Sequence, residues 1–233
     1  MDNPSRLCLL LCISLTMASL CVAASSTKIA TVENKCSFTV WPGIASYDKK
    51  LFPEPAEFKP VLNSGELYSI PFAAEWAGII WGRTGCSFNS SELGSCLSGD
   101  CAGYLRCEKV NWTQSGVNYD LPISTPITEV ELGSDTSAVN LERGYNLPIS
   151  IKSCGSQGCS AHVADVCPTN LQRKVNNEVV ACKGECSFYT KQCSSDFDPA
   201  FRKGCANVIP FQDYLRCSLD TNFTITFCPP QLP

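Results

Sequence analysis

The stretch Cys96-Leu-Ser-Gly-Asp-Cys101-Ala-Gly-Tyr-Leu-Arg-Cys107 carries three of the chain's cysteines within twelve residues. A segment this dense in cysteine indicates a tight loop tied by disulfides rather than a strand or helix. Asp100 lies within this segment and is a candidate catalytic acid. In a tight loop, however, aspartate typically accepts hydrogen bonds from nearby backbone amides. We therefore predict a structural role for Asp100.

The first 24 residues have the layout of a secretory signal peptide. Arg6 gives a short basic start, Leu7 to Leu20 is mostly apolar, and Val22-Ala23-Ala24 supplies small residues for cleavage. A membrane anchor is the alternative, but the run is too short to span a bilayer easily. We predict a signal peptide over residues 1–24, a mature domain over residues 25–233, and secretion to the extracellular space, the apoplast.

The cysteine count agrees with an oxidising compartment. Of seventeen cysteines, Cys8, Cys12 and Cys21 fall in the signal peptide, which leaves fourteen in the mature chain. An even number in a secreted chain predicts a complete disulfide framework. Structural zinc is the alternative, since Cys182 with Cys186, and Cys96 with Cys101, are spaced loosely like ligand pairs. The only histidine is His162, so we expect no metal site and no cofactor.

The net charge argues against two classes of partner, and the sequons predict glycosylation. The net charge is −4, which argues against nucleic acid and against an anionic membrane surface. Three Asn-x-Ser/Thr sequons, at Asn89, Asn111 and Asn222, predict a glycoprotein wherever they lie on exposed loops. We expect a monomer.

Short β-forming segments separated by Pro and Gly predict an all-β fold. Residues 127–132 alternate and suggest a strand with one solvent-facing side. The cysteine-dense stretch 154–205 alternates poorly and predicts a loop-rich subdomain. Together these features favour a sandwich or flattened barrel. The other predicted strands lie around residues 29–41, 67–70, 78–81, 139–141, 147–151 and 223–227.

Several blocks resemble the plant thaumatin-like proteins, pathogenesis-related group 5. The opening stretch resembles their signature Cys-x-Thr-Gly-Asp-Cys, and the other blocks follow in family order over nearly the whole mature chain. The chain is thus similar to a divergent member of that family. The further blocks are Asn34-Lys-Cys36-Ser-Phe-Thr-Val-Trp-Pro-Gly43, Trp81-Gly-Arg-Thr-Gly-Cys86-Ser-Phe88, Gly144-Tyr-Asn-Leu-Pro148 and Phe227-Cys228-Pro229.

The resemblance implies a flattened antiparallel β-sandwich core with disulfide-rich loop subdomains, here a small loop over about 86–107 and an insertion over about 154–205. It also implies the disulfide pairs, one fewer than the family's usual eight. They are Cys36–Cys228, Cys86–Cys96, Cys101–Cys107, Cys154–Cys217, Cys159–Cys205, Cys167–Cys182 and Cys186–Cys193.

The resemblance further implies a cleft of one Arg, one Glu and three Asp, to which the family's antifungal and β-1,3-glucan-directed activity is attributed. Glycoside hydrolysis needs two carboxyl groups, one of them protonated. The family arginine corresponds here to Ile79 and the glutamate to Glu129. Two aspartates correspond to Ala138 and Arg143, and Asp213 is the only candidate for the third. Glu129 is thus either a surviving functional acid or an ordinary exposed strand residue, and we favour the second.

Three functions follow. We favour a non-catalytic, plant defence-related protein that binds β-glucan, another cell-wall carbohydrate or a protein surface. One alternative is a weak endo-β-1,3-glucanase using Glu129 with Asp213 or another acid. The other is an inhibitor of a foreign hydrolase, an activity that the family resemblance also implies. We give His162 no catalytic role, because a lone loop histidine is usually solvated.

Overall fold

The structure is a computed structural model. It describes residues 27–47, 59–107, 113–115, 118–120, 126–133, 136–141, 143–152, 156–184, 205–206, 217–218 and 222–230. Within these ranges the chain is almost entirely β, as predicted, with one four-residue helix, α1 at Val163–Val166, and a 3-10 turn at Thr169–Leu171. The strands are β1 Thr27–Asn34, β2 Trp41–Ser46, β3 Leu67–Ala73, β4 Gly78–Arg83, β5 Ser87–Phe88, β6 Gly94–Ser95, β7 Thr113–Ser115, β8 Asn118–Asp120, β9 Glu129–Leu132, β10 Thr136–Asn140, β11 Ile149–Lys152, β12 Ser156–Cys159, β13 Gln172–Val175, β14 Glu178–Cys182, β15 Cys205–Ala206, β16 Cys217–Ser218 and β17 Asn222–Phe227.

Two sheets form the sandwich. One has six strands in the order β15-β12-β11-β17-β1-β3, and the other has five in the order β16-β10-β9-β4-β2. Neighbouring strands are antiparallel except for β1 and β17, which run parallel. The predicted antiparallel sandwich is therefore confirmed, with one parallel pair in the middle of the larger sheet.

The main core lies between the two sheets. Alternate residues of β1 and β17, such as Val32 and Ile225, meet residues of the smaller sheet such as Ile80 and Val130, and all four are fully buried. The period-2 pattern of each strand decides which side chains enter this layer. The Phe-Thr-Ile-Thr-Phe run of β17 illustrates it, because its apolar residues are buried and its threonines are not.

The parallel pair explains how the chain ends are joined. The register places Asn34 of β1 opposite Phe227 of β17, so both strands finish at the same edge of the sheet. Cys36 and Cys228 follow directly and form a disulfide across 192 residues. The chain-entropy model assigns a loop of this length about 5 kcal/mol of stabilisation, an upper figure.

The outer face of the smaller sheet has a second, smaller core. Ala45, Ile79, Trp81 and Ile127 pack there with the disulfide Cys101–Cys107. The small disulfide loop, residues 86–107, is thereby fastened over one end of the sheet. Trp81 adds a hydrogen bond from its indole nitrogen to the carbonyl of Gly99, at 2.9 Å.

Arg83 is the buried anchor of this loop. Its side chain is fully buried, and the guanidinium donates to the carbonyls of Trp41 and Pro42 on one side and of Tyr104 and Leu105 on the other. A guanidinium has enough N–H groups, in a fixed fork, to satisfy four acceptors at once. One side chain therefore ties β2 to the small disulfide loop.

The insertion over 154–205 contains more structure than its sequence suggested. Strands β13 and β14 form an antiparallel hairpin, which the prediction of a loop-rich segment missed. Asn176 and Asn177 form its turn with positive φ of 50° and 67°. Asparagine tolerates that conformation, so the Asn-Asn pair was the available hairpin signal.

Candidate functional site

The cleft positions implied by the family resemblance lie on the outer face of the smaller sheet. Strand β9 runs between β4 and β10, and the register sets Glu129 opposite Trp81 and Asn140. Two residues further on, Glu131 lies opposite Ile79 and Ala138. Alternation puts Glu129 and Glu131 on the same side of the strand. The structure thus brings Ile79, Glu129 and Ala138 together, and Asp213 lies outside the described residues.

Glu129 is buried and ion-paired. Its relative exposure is 3%, and its carboxylate Oε2 lies 3.3 Å from Nε of Arg143, whose side chain is one-third exposed. The expectation that Glu129 is an ordinary exposed strand residue is therefore wrong. The predicted solvent-facing side of residues 127–132 is only partly exposed, since Glu129 is buried and Glu131 is half-buried. The carboxylate thus has a permanent cation as its partner.

A tight turn positions Arg143. Its carbonyl accepts a hydrogen bond from the amide of Ile127, next to β9. Gly144 follows with φ of +105°, and a Cβ there would overlap the carbonyl oxygen of Cys182 and the ring of Pro126. Both the positive φ and the lack of space for a Cβ require glycine at this position. The turn thus returns the chain towards β9 and leaves Arg143 beside Glu129.

Glu131 is an acid that the sequence analysis did not single out. The hydroxyl of Tyr47 donates to its Oε1 at 3.4 Å. Burial raises the pKa of Tyr47, the carboxylates of Glu131 and Glu129 raise it further, and Arg143 opposes them. Tyr47 therefore keeps its proton and remains a donor. The Glu-x-Glu spacing in the sequence was the signal, since period 2 puts both acids on one side of a strand.

The concavity on this face is small. A cavity of about 120 Å³ lies beside Tyr47, Glu131 and Ala138, where the resemblance implies an aspartate. Pockets for small molecules usually enclose about 300–1,000 Å³. Glu131 lines this cavity and accepts from Tyr47, whereas Glu129 is buried and paired with Arg143.

Asp100 has the structural role that its loop predicts. Its Oδ1 accepts from the amide of Cys96 at 3.1 Å, and its Oδ2 accepts from the amide of Gly103 at 2.8 Å. Both bonds close turns between the disulfides Cys86–Cys96 and Cys101–Cys107. The carboxylate is therefore committed to the loop.

A larger concavity lies elsewhere, between the small disulfide loop and the segment formed by α1 and the β13–β14 hairpin. We call it the Phe38 groove. It encloses about 610 Å³, and the positions Glu129, Glu131, Ala138 and Arg143 are not among its lining residues. Its apolar lining includes Phe38, Leu97, Leu147, Pro148, Val163 and Val179. Its polar lining includes His162, Asn177 and Glu178.

His162 begins helix α1. Its Nδ1 accepts a hydrogen bond from the amide of Ala164 at 3.3 Å, so the ring acts as the N-cap, and the side chain is otherwise exposed on the groove. A structural role as helix cap thus accounts for a histidine at this position. The remaining nitrogen, Nε2, carries the proton.

Comparison with known proteins decides the family. The model of the Thaumatin family matches residues 34–229. The chain belongs to the thaumatin family. Among relatives, it is 31% identical to a pathogenesis-related thaumatin-like protein 3.5 of Cryptomeria japonica, over 88% of this chain and 91% of that protein. It is 30% identical to a glucan endo-1,3-beta-glucosidase of Prunus avium, over 95% and 98%. Among solved structures, a thaumatin-like xylanase inhibitor, TLXI, aligns with a TM-score of 0.44 and 24% identity, over 86% of this chain and 99% of that one.

Four of the seven disulfides implied by the thaumatin resemblance are present among the described residues: Cys36–Cys228, Cys86–Cys96, Cys101–Cys107 and Cys167–Cys182. The register of β12 and β15 sets Cys159 opposite Cys205, which agrees with a fifth. The pairs Cys154–Cys217, Cys159–Cys205 and Cys186–Cys193 remain predictions, because they involve residues or side chains outside the described part.

Two sequons of this thaumatin-family chain are described. Asn89 and Asn222 are both exposed, and the Oδ1 of Asn89 accepts from the amides of Ser91 and Leu93, which leaves its amide nitrogen on the surface. Asn111 lies outside the described residues, as does the predicted signal peptide over 1–24. No helix within the described ranges is both long and apolar enough to cross a bilayer.

Proposed function

We propose that this thaumatin-family protein is a secreted, extracellular, non-catalytic defence protein that binds neutral cell-wall carbohydrate. The observation that carries the proposal is the ion pair between Arg143 and the buried Glu129. A glycosidase acid must be protonated and must reach the glycosidic oxygen. Glu129 is buried and paired with a permanent cation, and this arrangement opposes both requirements.

Ile79 and Ala138 support the same conclusion. Ile79 is buried in the apolar cluster on this face, and Ala138 faces Glu131 across the ladder without a carboxylate of its own. In this chain, the positions of the family's cleft thus hold two apolar residues and one residue of reversed charge. Loss of a positioned general acid typically costs about a hundred- to ten-thousand-fold in rate.

A weak β-1,3-glucanase is the second candidate, and two observations favour it. A relative that is 30% identical is named a glucan endo-1,3-beta-glucosidase. In addition, Glu129 and Glu131 lie two positions apart on one side of β9, so both carboxyl groups project from the same face. A glycosidase needs two nearby carboxyl groups, but the engagement of these two by Arg143 and Tyr47 opposes that use. Inhibition of a foreign hydrolase stays a prediction.

One assay separates binding from hydrolysis. The secreted protein is incubated with insoluble β-1,3-glucan or insoluble xylan, and the bound fraction and the reducing sugar released are measured in the same tube. We expect retention on the polysaccharide with sugar release at the level of a protein-free blank. Robust release that Glu129→Gln or Glu131→Gln abolishes would establish the glucanase instead. Release that neither substitution changes would identify a contaminant.

A further inference from the structure

We propose that the Phe38 groove, and not the sheet face carrying Glu129, is the binding site for a short segment of neutral polysaccharide. This assignment deepens the proposed function and rests on it. The groove is separate from the cleft positions, and its volume of about 610 Å³ lies within the range of small-molecule sites, unlike the cavity of about 120 Å³ beside Glu131.

The groove presents an aromatic ring and an aliphatic surface to solvent. Phe38 is 43% exposed and Leu97 is 41% exposed, and both line it above the buried Leu147. Large apolar side chains gathered in a solvent-open concavity mark an interaction site. A pyranose has an apolar C–H face that packs flat on such a ring, whose face is electron-rich.

Polar side chains complete the match to a sugar. Asn177 offers an amide donor and acceptor, Glu178 offers a carboxylate, and His162 offers Nε2–H because its Nδ1 already accepts from Ala164. Sugar hydroxyls donate and accept, so they suit such a mixed set. Among the residues that the structure describes, none that lines the groove is Lys or Arg. This lining therefore lacks the cation that a uronate, sulfate or phosphate would require, and this selects a neutral chain.

The walls of the groove are held by disulfides. Cys36–Cys228 lies next to Phe38, Cys86–Cys96 precedes Leu97, and Cys167–Cys182 joins the end of α1 to strand β14. A site with walls fixed before binding loses little further conformational freedom when the ligand arrives. Rigid walls suit an uncharged ligand, which forms no strong ion pair to offset a loss of conformational freedom.

The test is calorimetric titration with three probes: a β-1,3-glucohexaose, a β-1,4-xylohexaose and an anionic oligogalacturonate of equal length. We expect the wild-type protein to bind at least one neutral hexaose and to bind the oligogalacturonate more weakly. Phe38→Ala should weaken binding about tenfold or more, whereas Phe38→Tyr should stay within about threefold. His162→Asn preserves a good N-cap while removing Nε2, so it should weaken binding at an unchanged Tm.

Matched controls locate the effect. Leu93 is 46% exposed in the same small loop but does not line the groove, so Leu93→Ala should bind as the wild type does. Glu129→Gln should also bind normally.

Wild-type affinity in a folded Phe38→Ala variant would overturn the assignment to the groove and leave the proposed function standing. Absence of binding to both neutral hexaoses and to both insoluble polysaccharides would overturn the proposed function itself. Preference for the oligogalacturonate would overturn the neutral-ligand class.

Discussion

Arg143 lies with its Nε 3.3 Å from Oε2 of Glu129, so a cation occupies the position where the family resemblance implies an aspartate. On the same face Ile79 replaces the implied arginine. The guanidinium beside Glu129 is thus supplied by the turn before Tyr145 rather than by strand β4. The consequence is a covered, paired carboxylate in place of an open anionic cleft.

This pair should be measurable as a coupling free energy. Arg143→Ala leaves the buried Glu129 without its cation, and we expect the free energy of unfolding to fall by about 1–2 kcal/mol. That is less than the 3–5 kcal/mol of a fully buried pair because Arg143 is partly solvated. In a Glu129→Gln background the same substitution should cost much less. Denaturant unfolding of the four proteins in the cycle gives the coupling, and strictly additive effects would contradict the pairing.

Arg83 should resist replacement by lysine. A lysine ammonium has three N–H groups on a flexible stem and is unable to satisfy four carbonyls on two sides, so buried acceptors lose their partners. We expect Arg83→Lys to lower the free energy of unfolding by about 2–4 kcal/mol. Arg106→Lys is the matched control, because Arg106 lies in the same loop, is 22% exposed and forms an ion pair with Glu92. Its effect should stay within about 0.5 kcal/mol. Equal effects of the two substitutions would count against the anchoring role of Arg83.

Stability should decline in alkali. Burial raises the pKa of Tyr145, whose hydroxyl donates to the carbonyl of Ala161 at 2.5 Å, and burial likewise raises the pKa of Tyr68. Above pH 10 the unfolded chain releases phenolic protons that the folded chain retains, so the free energy of unfolding falls as pH rises. Each such tyrosine contributes a slope of up to about 1.4 kcal/mol per pH unit. Denaturant unfolding between pH 8 and about pH 11.5 should show it, with a shallower slope for Tyr145→Phe. An unchanged slope in that variant would contradict its burial.

The cysteine framework makes a separate prediction. Thiol titration of the denatured, unreduced secreted protein should find essentially no free thiol, because all fourteen mature cysteines are expected to pair. Removing the longest link with Cys36→Ala and Cys228→Ala should lower the free energy of unfolding by up to about 5 kcal/mol. A free thiol in the wild-type protein would refute the implied pairing at that cysteine, and mass spectrometry of unreduced peptides would locate it.

Much of the fold was predictable because short-range rules govern it. The alternation in Phe223-Thr-Ile-Thr-Phe227 predicts a strand with one buried side, and β17 has that pattern. Asp100, between cysteines in a tight loop, was expected to bind amides and does so. The β13–β14 hairpin was missed, because cysteine density concealed strands that depend on an Asn-Asn turn.

By itself the sequence determined the strand alternation and the even cysteine count of the predicted mature chain, since these are properties of neighbouring residues and of composition. The family resemblance of its motifs identified the changed residues at 79, 138 and 143. Only the tertiary structure decided that Glu129 is buried and that Arg143 is its partner. It also decided that Phe38 and Leu97, 59 positions apart, line one groove. The reason is physical: period 2 tells which side of a strand a residue takes, but the exposure of that side depends on which distant segments pack against it.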